Sequence, residues 1–141
     1  MGKIYAVCLS EKKGTAKNFV DSVEIIENFG LKGDAHGGNW HRQVSLISKE
    51  KIDAFKNRGG KVEIGGFGEN IIVQGEEFFD LKIGDRVKTG DVVLEITQLG
   101  KECHTHCHIY YTVGECIMPK EGVFARVISG GKISVGDDIS L

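Results

Sequence analysis

Apolar residues along this chain come in short, β-branched groups, and most groups end at a glycine or at Gly-Asp. That pattern belongs to strands separated by tight turns. The candidate strands are Lys3–Leu9, Val20–Asn28, Val44–Ile47, Asn70–Val73, Phe79–Ile83, Val92–Thr97, and Ile133–Val135 with Ile139–Leu141. Gly84-Asp85 and Gly136-Asp137 each follow an apolar residue and precede another short strand, so both read as corners. So many short edges would be satisfied by a closed or nearly closed barrel.

One segment has helical spacing instead. Ser48 offers an N-cap, Glu50 favours the first turn, Ile52 and Phe55 lie three apart on one face, and Gly59-Gly60 stops the element. This helix is expected to lie against the barrel as a lid. A shorter helical turn is expected around Glu121–Val127, with Pro119 at or just before its start and Val123, Phe124 and Val127 on one apolar stripe. The predicted fold class is therefore mainly β with a few short helices (α+β). With no internal repeat and no linker, residues 1–141 read as a single domain.

Composition narrows the function. Twenty glycines against one proline mark many turns with unusual backbone angles. The formal net charge is −2 and the charged residues are mixed in sign, so there is no nucleic-acid footprint. Lys12-Lys13 reads as a solvated turn before Gly14. No window approaches the ~18 apolar residues of a membrane span, and Met1-Gly2-Lys3-Ile4 does not begin a signal peptide. The expectation is a cytoplasmic protein with no membrane and no nucleic-acid partner. In a reducing compartment, clustered cysteines serve as metal ligands or reactive thiols more often than as structural bridges.

Three of the four cysteines and three of the five histidines fall in Cys103-His104-Thr105-His106-Cys107-His108 and Cys116. Sulfur and imidazole are soft ligands and strong nucleophiles near neutral pH, so two chemistries compete here, a metal site and a sulfur-handling thiol. If the segment is extended, Cys103, Thr105 and Cys107 face one side and the three histidines the other. One tetrahedral site cannot then use them all. Cys103 and Cys107 could still close around zinc with Cys116 and one histidine. His106 and His108 also fit exposed loop positions. Cys8, alone in an apolar strand, reads as a buried small hydrophobe.

Two glycine-rich loops supply polar groups. In Gly33-Asp34-Ala35-His36-Gly37-Gly38, with Arg42 downstream, a carboxylate, an imidazole and a guanidinium surround glycines that permit close approach of an oxyanion. The same residues also fit a tight turn whose Asp34 and His36 bond to their own backbone. Gly65-Gly66-Phe67-Gly68-Glu69-Asn70 could form an anion-binding nest, or a turn in which Glu69 and Asn70 brace the barrel. It lacks the Lys-Ser or Lys-Thr of a P-loop and the helix of a dinucleotide fingerprint.

Taken together, Gly33-Asp34-Ala35-His36-Gly37-Gly38 with Arg42-Gln43, Phe67-Gly68-Glu69-Asn70-Ile71, Gly84-Asp85 and Gln98-Leu99-Gly100-Lys101-Glu102-Cys103 resemble, in order and spacing, the MOSC domain. That family is named for the C-terminal domain of molybdenum cofactor sulfurase. The resemblance implies a MOSC-type β-barrel standing alone, with one reactive cysteine that by position is Cys103. Related domains are thought to carry sulfur as a persulfide, or to bind the molybdenum cofactor (molybdopterin) with that cysteine as the molybdenum ligand. Carried over residue by residue, the loops place Asp34, His36, Arg42, Phe67, Gly68, Glu69 and Asn70 at the cofactor pocket. The usual short polar run before the cysteine here reads Gly100-Lys101-Glu102, a departure from the family pattern.

The resulting expectation is a molybdenum-cofactor-associated sulfur-carrier or sulfur-transfer protein, with a sulfurtransferase-like or molybdenum-cofactor-dependent activity. Lys101 and His104 flank Cys103 and would favour its thiolate. Cys107 and Cys116 are either second thiols that resolve a persulfide or packing residues. Pyridoxal phosphate is expected only on a partner, a cysteine desulfurase that donates sulfur; the acceptor would be a molybdoenzyme or the molybdenum cofactor. Two alternatives stand beside this reading. One is a zinc-stabilised, non-enzymatic binding module. The other is a pterin-cofactor carrier without turnover, using the two glycine-rich loops.

Overall fold

The computed structural model describes residues 2–10, 18–34, 37–38, 43–57, 69–75, 81–99 and 122–140, with the side chain of Phe55 excepted. Eleven strands and one helix lie among them: β1 (Gly2–Leu9), β2 (Asn18–Val20), β3 (Ser22–Ile26), β4 (Gly30–Leu31), β5 (Val44–Ser48), α1 (Lys49–Asn57), β6 (Ile71–Gln74), β7 (Arg86–Thr89), β8 (Val92–Leu99), β9 (Val123–Ser129), β10 (Gly131–Ser134) and β11 (Asp138–Ile139). The mainly β reading holds.

The larger sheet runs β11-β1-β6-β5-β9-β8-β7, with β2 paired to the end of β1. All neighbours on this path are antiparallel except β5 and β6, which are parallel and joined through α1. A parallel pair needs such a crossover, because no tight turn can return the chain in the same direction. The path closes on itself: Lys88 N–H donates to Ser140 O (2.7 Å) and Ser140 N–H donates to Lys88 O (2.9 Å), which ties β7 to the residue after β11. The barrel expected from the many short edges is thus present. A three-stranded sheet, β10-β3-β4, contributes Val23, Ile25, Leu31 and Ile133 to the same apolar core as Val7, Leu46, Ile71, Leu94 and Val127.

Several elements depart from the sequence reading. The Glu121–Val127 helical turn is instead strand β9 from Val123 onward, seated between β5 and β8. Val123, Ala125 and Val127 share the core face while Phe124 is buried on the other. A strand covered on both faces satisfies the same apolar spacing that suggests a helix, and pairing on both edges decides the outcome. Pro119 lies outside the described residues. The single strand expected over Val20–Asn28 is divided at Asp21, where the chain leaves the barrel sheet for the smaller one. Of Phe79–Ile83, the described part is no strand: Lys82 N–H bonds the Asp85 carboxylate (2.9 Å) and Asp85 N–H bonds Lys82 O (3.0 Å), a turn that leaves Ile83 exposed. The corners at Gly84-Asp85 and Gly136-Asp137 are present, with φ of 95° and 94° at the glycines.

The helix begins where Ser48 and Glu50 place it. Ser48 Oγ donates to Glu50 Oε2 (2.9 Å), and Glu50 Oε1 accepts from Gly75 N–H (2.7 Å), so one carboxylate joins the helix start to the end of β6. Ile52 is buried, and α1 packs on β5 and β6 as the expected lid. Gly59-Gly60 lies outside the described residues. In β1 the register slips between Ile4, opposite Val73, and Ala6, opposite Ile72. Tyr5 is the extra residue of this bulge, and its ring lies 4.8 Å from Lys49 Nζ. The bulge keeps both Ile4 and Val7 in the core, which strict alternation could not do.

Candidate functional site

The described part of the candidate site is built where β1 ends and β5 and β6 begin. β5 reads Val44-Ser45-Leu46-Ile47-Ser48 and is buried throughout. A hydroxyl in such a strand needs a partner. Ser45 finds it in Asn70, which precedes β6. Ser45 N–H and Oγ both donate to Asn70 Oδ1, at 2.9 and 3.1 Å, and Asn70 N–H approaches Ser45 O (3.0 Å) and Ser45 Oγ (3.1 Å). On its other side, Asn70 Nδ2 donates to Cys8 O (3.1 Å), and Cys8 N–H donates to Asn70 O (2.7 Å). Asn70 and Cys8 are both fully buried. Asn70 therefore braces the barrel, and Cys8 is the buried residue that its apolar sequence neighbours imply.

Asp34 grips the same end of β1. Its Oδ1 accepts from Ser10 N–H (3.0 Å), and the residue is buried. In the surrounding loop, Asp34 N–H donates to Leu31 O (3.1 Å), Gly37 N–H to Asp34 O (3.1 Å) and Gly38 N–H to Phe29 O (2.8 Å). These three amides are therefore engaged with carbonyls rather than directed at an anion. Gly33 (φ 86°) and Gly38 (φ 145°) hold angles that side chains rarely adopt, which explains the glycines at both places. Glu69, next to Asn70, is also buried. A carboxylate at that depth must be hydrogen-bonded or charge-paired, and Glu69 is engaged.

The sequence-predicted residues thus divide. Asp34 and Asn70 converge on the end of β1 and Glu69 is buried next to Asn70 in sequence, whereas His36, Arg42, Phe67, Gly68, Lys101, Cys103, His104, Cys107 and Cys116 lie outside the described residues. The stems of the cysteine segment are nevertheless fixed. Leu99, the last residue of β8, lies opposite Val123, which lies opposite Leu46, which lies opposite Ile71. From Leu99 to Val44 is two strand spacings across and two residues along, about 12 Å by standard sheet dimensions. β8 carries a bulge at Thr97 just before this stem, and Thr97 Oγ1 donates to Phe124 O (3.2 Å). Bulges bend a strand and redirect the chain beyond them.

Ser10 and Ser45 are the participants that the sequence reading missed. Ser45 carried a signal, a small polar residue inside an apolar run; Ser10 enters through its backbone amide, which no side-chain pattern marks. Among the described residues no group of three His, Cys, Asp or Glu side chains could hold a metal ion, and no helix is long and apolar enough to cross a membrane. Of the residues that the resemblance places at a cofactor pocket, the described carboxylates, Asp34 and Glu69, are buried and already engaged within the protein.

The barrel agrees with a family match that covers most of the chain. The chain belongs to the MOSC domain family, whose model matches residues 32–140. The family is associated with molybdenum cofactor sulfurase-like domains. No curated protein matches the chain. Among solved structures, the fold is similar to that of the YuaD protein from Bacillus subtilis, with a TM-score of 0.79 and 19% identity over 99% of this chain and 94% of that one. It is also similar to YiiM from Geobacillus stearothermophilus, with a TM-score of 0.75 and 19% identity over 100% of this chain and 75% of that one. YiiM from Escherichia coli gives a TM-score of 0.62 at 19% identity, over 99% of this chain and 68% of that one. Identities this low speak for the fold alone.

Proposed function

We propose that the chain is a sulfur carrier of molybdenum-cofactor metabolism in which Cys103 holds transferable sulfur as a persulfide. The supporting observation is the span of the family match, residues 32–140, which takes in Cys103 together with both glycine-rich motifs. In this reading the Cys103 thiolate attacks the terminal sulfur of a persulfide on a donor cysteine desulfurase. The donor's S–S bond breaks, its thiolate leaves and takes up a proton, and Cys103 keeps the sulfane sulfur. Lys101 and His104, on either side of the thiol in sequence, favour its ionised form. Release follows when a thiolate, Cys107 or Cys116, attacks the inner sulfur of the Cys103 persulfide, forms a disulfide with it and expels hydrosulfide to the acceptor.

The donor's own chemistry needs pyridoxal phosphate, held by the desulfurase, and the acceptor is a molybdoenzyme or the molybdenum cofactor. If the cofactor itself docks here, it supplies metal-centred redox chemistry. Cys103 is then the residue that would ligate molybdenum, with Asp34, His36, Arg42, Phe67, Gly68 and Glu69 around it. Asn70 belongs to the frame in either case, since both lone pairs of its Oδ1 already accept from Ser45.

The test is direct. Incubation with a cysteine desulfurase and cysteine should add one sulfur atom's mass to the wild type, removable by reductant, and Cys103→Ser should abolish the adduct while remaining folded. An undiminished adduct in the serine variant would move the role to Cys107 or Cys116. Unfolding of that variant with loss of stoichiometric zinc would instead establish the zinc-stabilised binding module, because a structural zinc contributes to folding outright. No adduct on the wild type, with equal binding of a pterin cofactor analogue by wild type and Cys103→Ala, would leave a carrier without turnover.

A further inference from the structure

We infer that the barrel is an internal tandem duplication, two copies of one three-strand unit related by a two-fold axis, and that the copies meet at the Lys88–Ser140 seam. This duplication is independent of the sulfur-carrier reading. The first copy is β1, β6 and β7; the second is β8, β9 and β11. Their pairings coincide residue by residue. Lys3, Ile4, Ala6 and Val7 of β1 face Gln74, Val73, Ile72 and Ile71 of β6. Adding 92 to each β1 number and 52 to each β6 number gives the β8–β9 pairs Glu95–Arg126, Ile96–Ala125, Gln98–Phe124 and Leu99–Val123. The bulge recurs as well, at Tyr5 in one copy and Thr97 in the other. The third strand of each copy pairs with the first strand of the other: Arg86–Glu95 and Val87–Leu94 in β7–β8, Asp138–Lys3 and Ile139–Gly2 in β11–β1, with the same two offsets. An ion pair crosses at the same place in both copies with its charges exchanged, Arg86 with Glu95 (3.4 Å) and Lys3 with Asp138 (2.6 Å).

The corners that lead into β7 and β11 repeat the same bonds. Lys82 N–H donates to Asp85 Oδ2 and Ser134 N–H to Asp137 Oδ2, both at 2.9 Å. Gly84 N–H donates to Ile96 O and Ile96 N–H to Asp85 O; in the other copy Gly136 N–H donates to Ile4 O and Ile4 N–H to Asp137 O, all four within 2.8–2.9 Å. Ile4 and Ile96 are again 92 apart, and the two glycines hold φ of 94° and 95°.

The offsets also locate the axis. Lys88 and Ser140, 52 apart, bond to each other, and at the middle of the sheet path Leu46 faces both Ile71 and Val123, also 52 apart. β5 therefore lies on the axis and belongs to neither copy. No repeat is visible in the sequence, because between residues 71–89 and 123–141 only the Gly-Asp of the corner is identical. Apolar character persists at Leu81 and Ile133 and at Val87 and Ile139, all buried. Register needs only that alternation, so the copies can diverge while keeping their pairing. They differ most in the connection between first and second strands, residues 8–70 in one copy and 100–122 in the other, which hold Asp34 with Asn70 and Cys103 respectively.

The duplication fixes how the chain can be rejoined. Thr89 and Val92 face each other across Gly90-Asp91. The same offsets carry Thr89 to Leu141 and Val92 to the position before Met1, so three inserted residues, Gly-Asp-Val, complete the equivalent hairpin. The experiment compares two circular permutants, both opened between Gly90 and Asp91, with Leu141 joined to Met1 either through Gly-Asp-Val or directly. The permutant with the insert should fold with the wild-type circular dichroism spectrum and retain slow exchange at the Lys88 and Ser140 amides. The direct join draws Ser140 into the turn between Ile139 and Gly2 and breaks its two bonds to Lys88, so it should melt roughly 4–8 °C lower. Equal midpoints, or a lower midpoint with the insert, would overturn the duplication. If opening at Gly90 prevents folding, the same two joins in a backbone-cyclised chain left closed at Gly90 decide by the same criterion.

Discussion

Lys88 and Ser140 exchange two backbone hydrogen bonds, of 2.7 and 2.9 Å, and this single bridge returns the β7 edge to the chain beyond β11. Elsewhere in the barrel, neighbouring strands are tied by ladders of two or more residue pairs. The closure is the narrowest seam, and removing one of its donors tests what it contributes. Ser140→Pro deletes the N–H that Lys88 O accepts. The expected cost is about 1 kcal/mol, or roughly 2–4 °C in thermal midpoint for a chain of this size. A calorimetric midpoint equal to the wild type would show that the seam contributes nothing to stability.

Beside that seam sits Thr89, buried, with a hydroxyl that has no hydrogen-bond partner among the described residues. An unsatisfied buried hydroxyl costs free energy that a methyl of similar shape does not. Thr89→Val is therefore expected to raise stability by about 1 kcal/mol, measured by urea unfolding. A loss of similar size would mean that the hydroxyl is satisfied in solution, by a buried water for example.

The barrel was legible in the sequence because its signals are local: β-branched runs, the Gly-Asp corners with positive φ, and Ser48 with Glu50 at the helix start. β9 was not legible as a strand. Its identity depends on β5 and β8 lying on either side, and no neighbour in sequence reports that. The same distinction runs through the site. Motif spacing singled out Asp34, Glu69 and Asn70, but the contacts that give two of them work, Ser10 to Asp34 and Ser45 to Asn70, span 24 and 25 residues. Such pairings are set by the closed sheet and have no periodicity to betray them.

Lys49 offers a pH-dependent test of the lid. Its ammonium lies 2.7 Å from Asp53 Oδ2, one helical turn on, and this hydrogen bond raises its pKa above 10.5 against the opposing effect of partial burial. A raised folded-state pKa means stability that is complete below the unfolded value and lost as pH rises through the folded one. Asp53→Asn should cost about 0.5 kcal/mol near neutral pH, and the difference from wild type should shrink once Lys49 deprotonates in the folded protein. A gap that persists unchanged at strongly alkaline pH would assign the cost to helix capping or packing rather than to the ion pair.

Cys8 and Cys103 should separate cleanly in reactivity. Cys8 is fully buried and bonded through its backbone to Asn70, so a reagent reaches it only when β1 opens. Under native conditions Cys103 should be alkylated first and Cys8 last, with Cys8 catching up as denaturant is added. Cys8 modified ahead of Cys103 would contradict both the burial of one and the reactivity assigned to the other.

At the end of the Asp34 loop, Gly37 has no room for a side chain. A Cβ there would stand 2.4 Å from Cε2 of Phe29 and 2.7 Å from its Cζ, closer than carbon atoms pack. Phe29 cannot simply leave, because its carbonyl is bound by Gly38 N–H at 2.8 Å and its own N–H donates to Ile26 O at 3.1 Å. Only the ring can turn aside. Gly37→Ala should therefore cost roughly 1–3 kcal/mol, the usual range for overpacking. In a Phe29→Ala background the same substitution escapes that clash and should cost less, so a double-mutant cycle should show a coupling energy of about 1–3 kcal/mol between neighbours in contact. Coupling near zero, with Gly37→Ala destabilising in both backgrounds, would place the requirement for glycine in the backbone and not in the ring that lies over it.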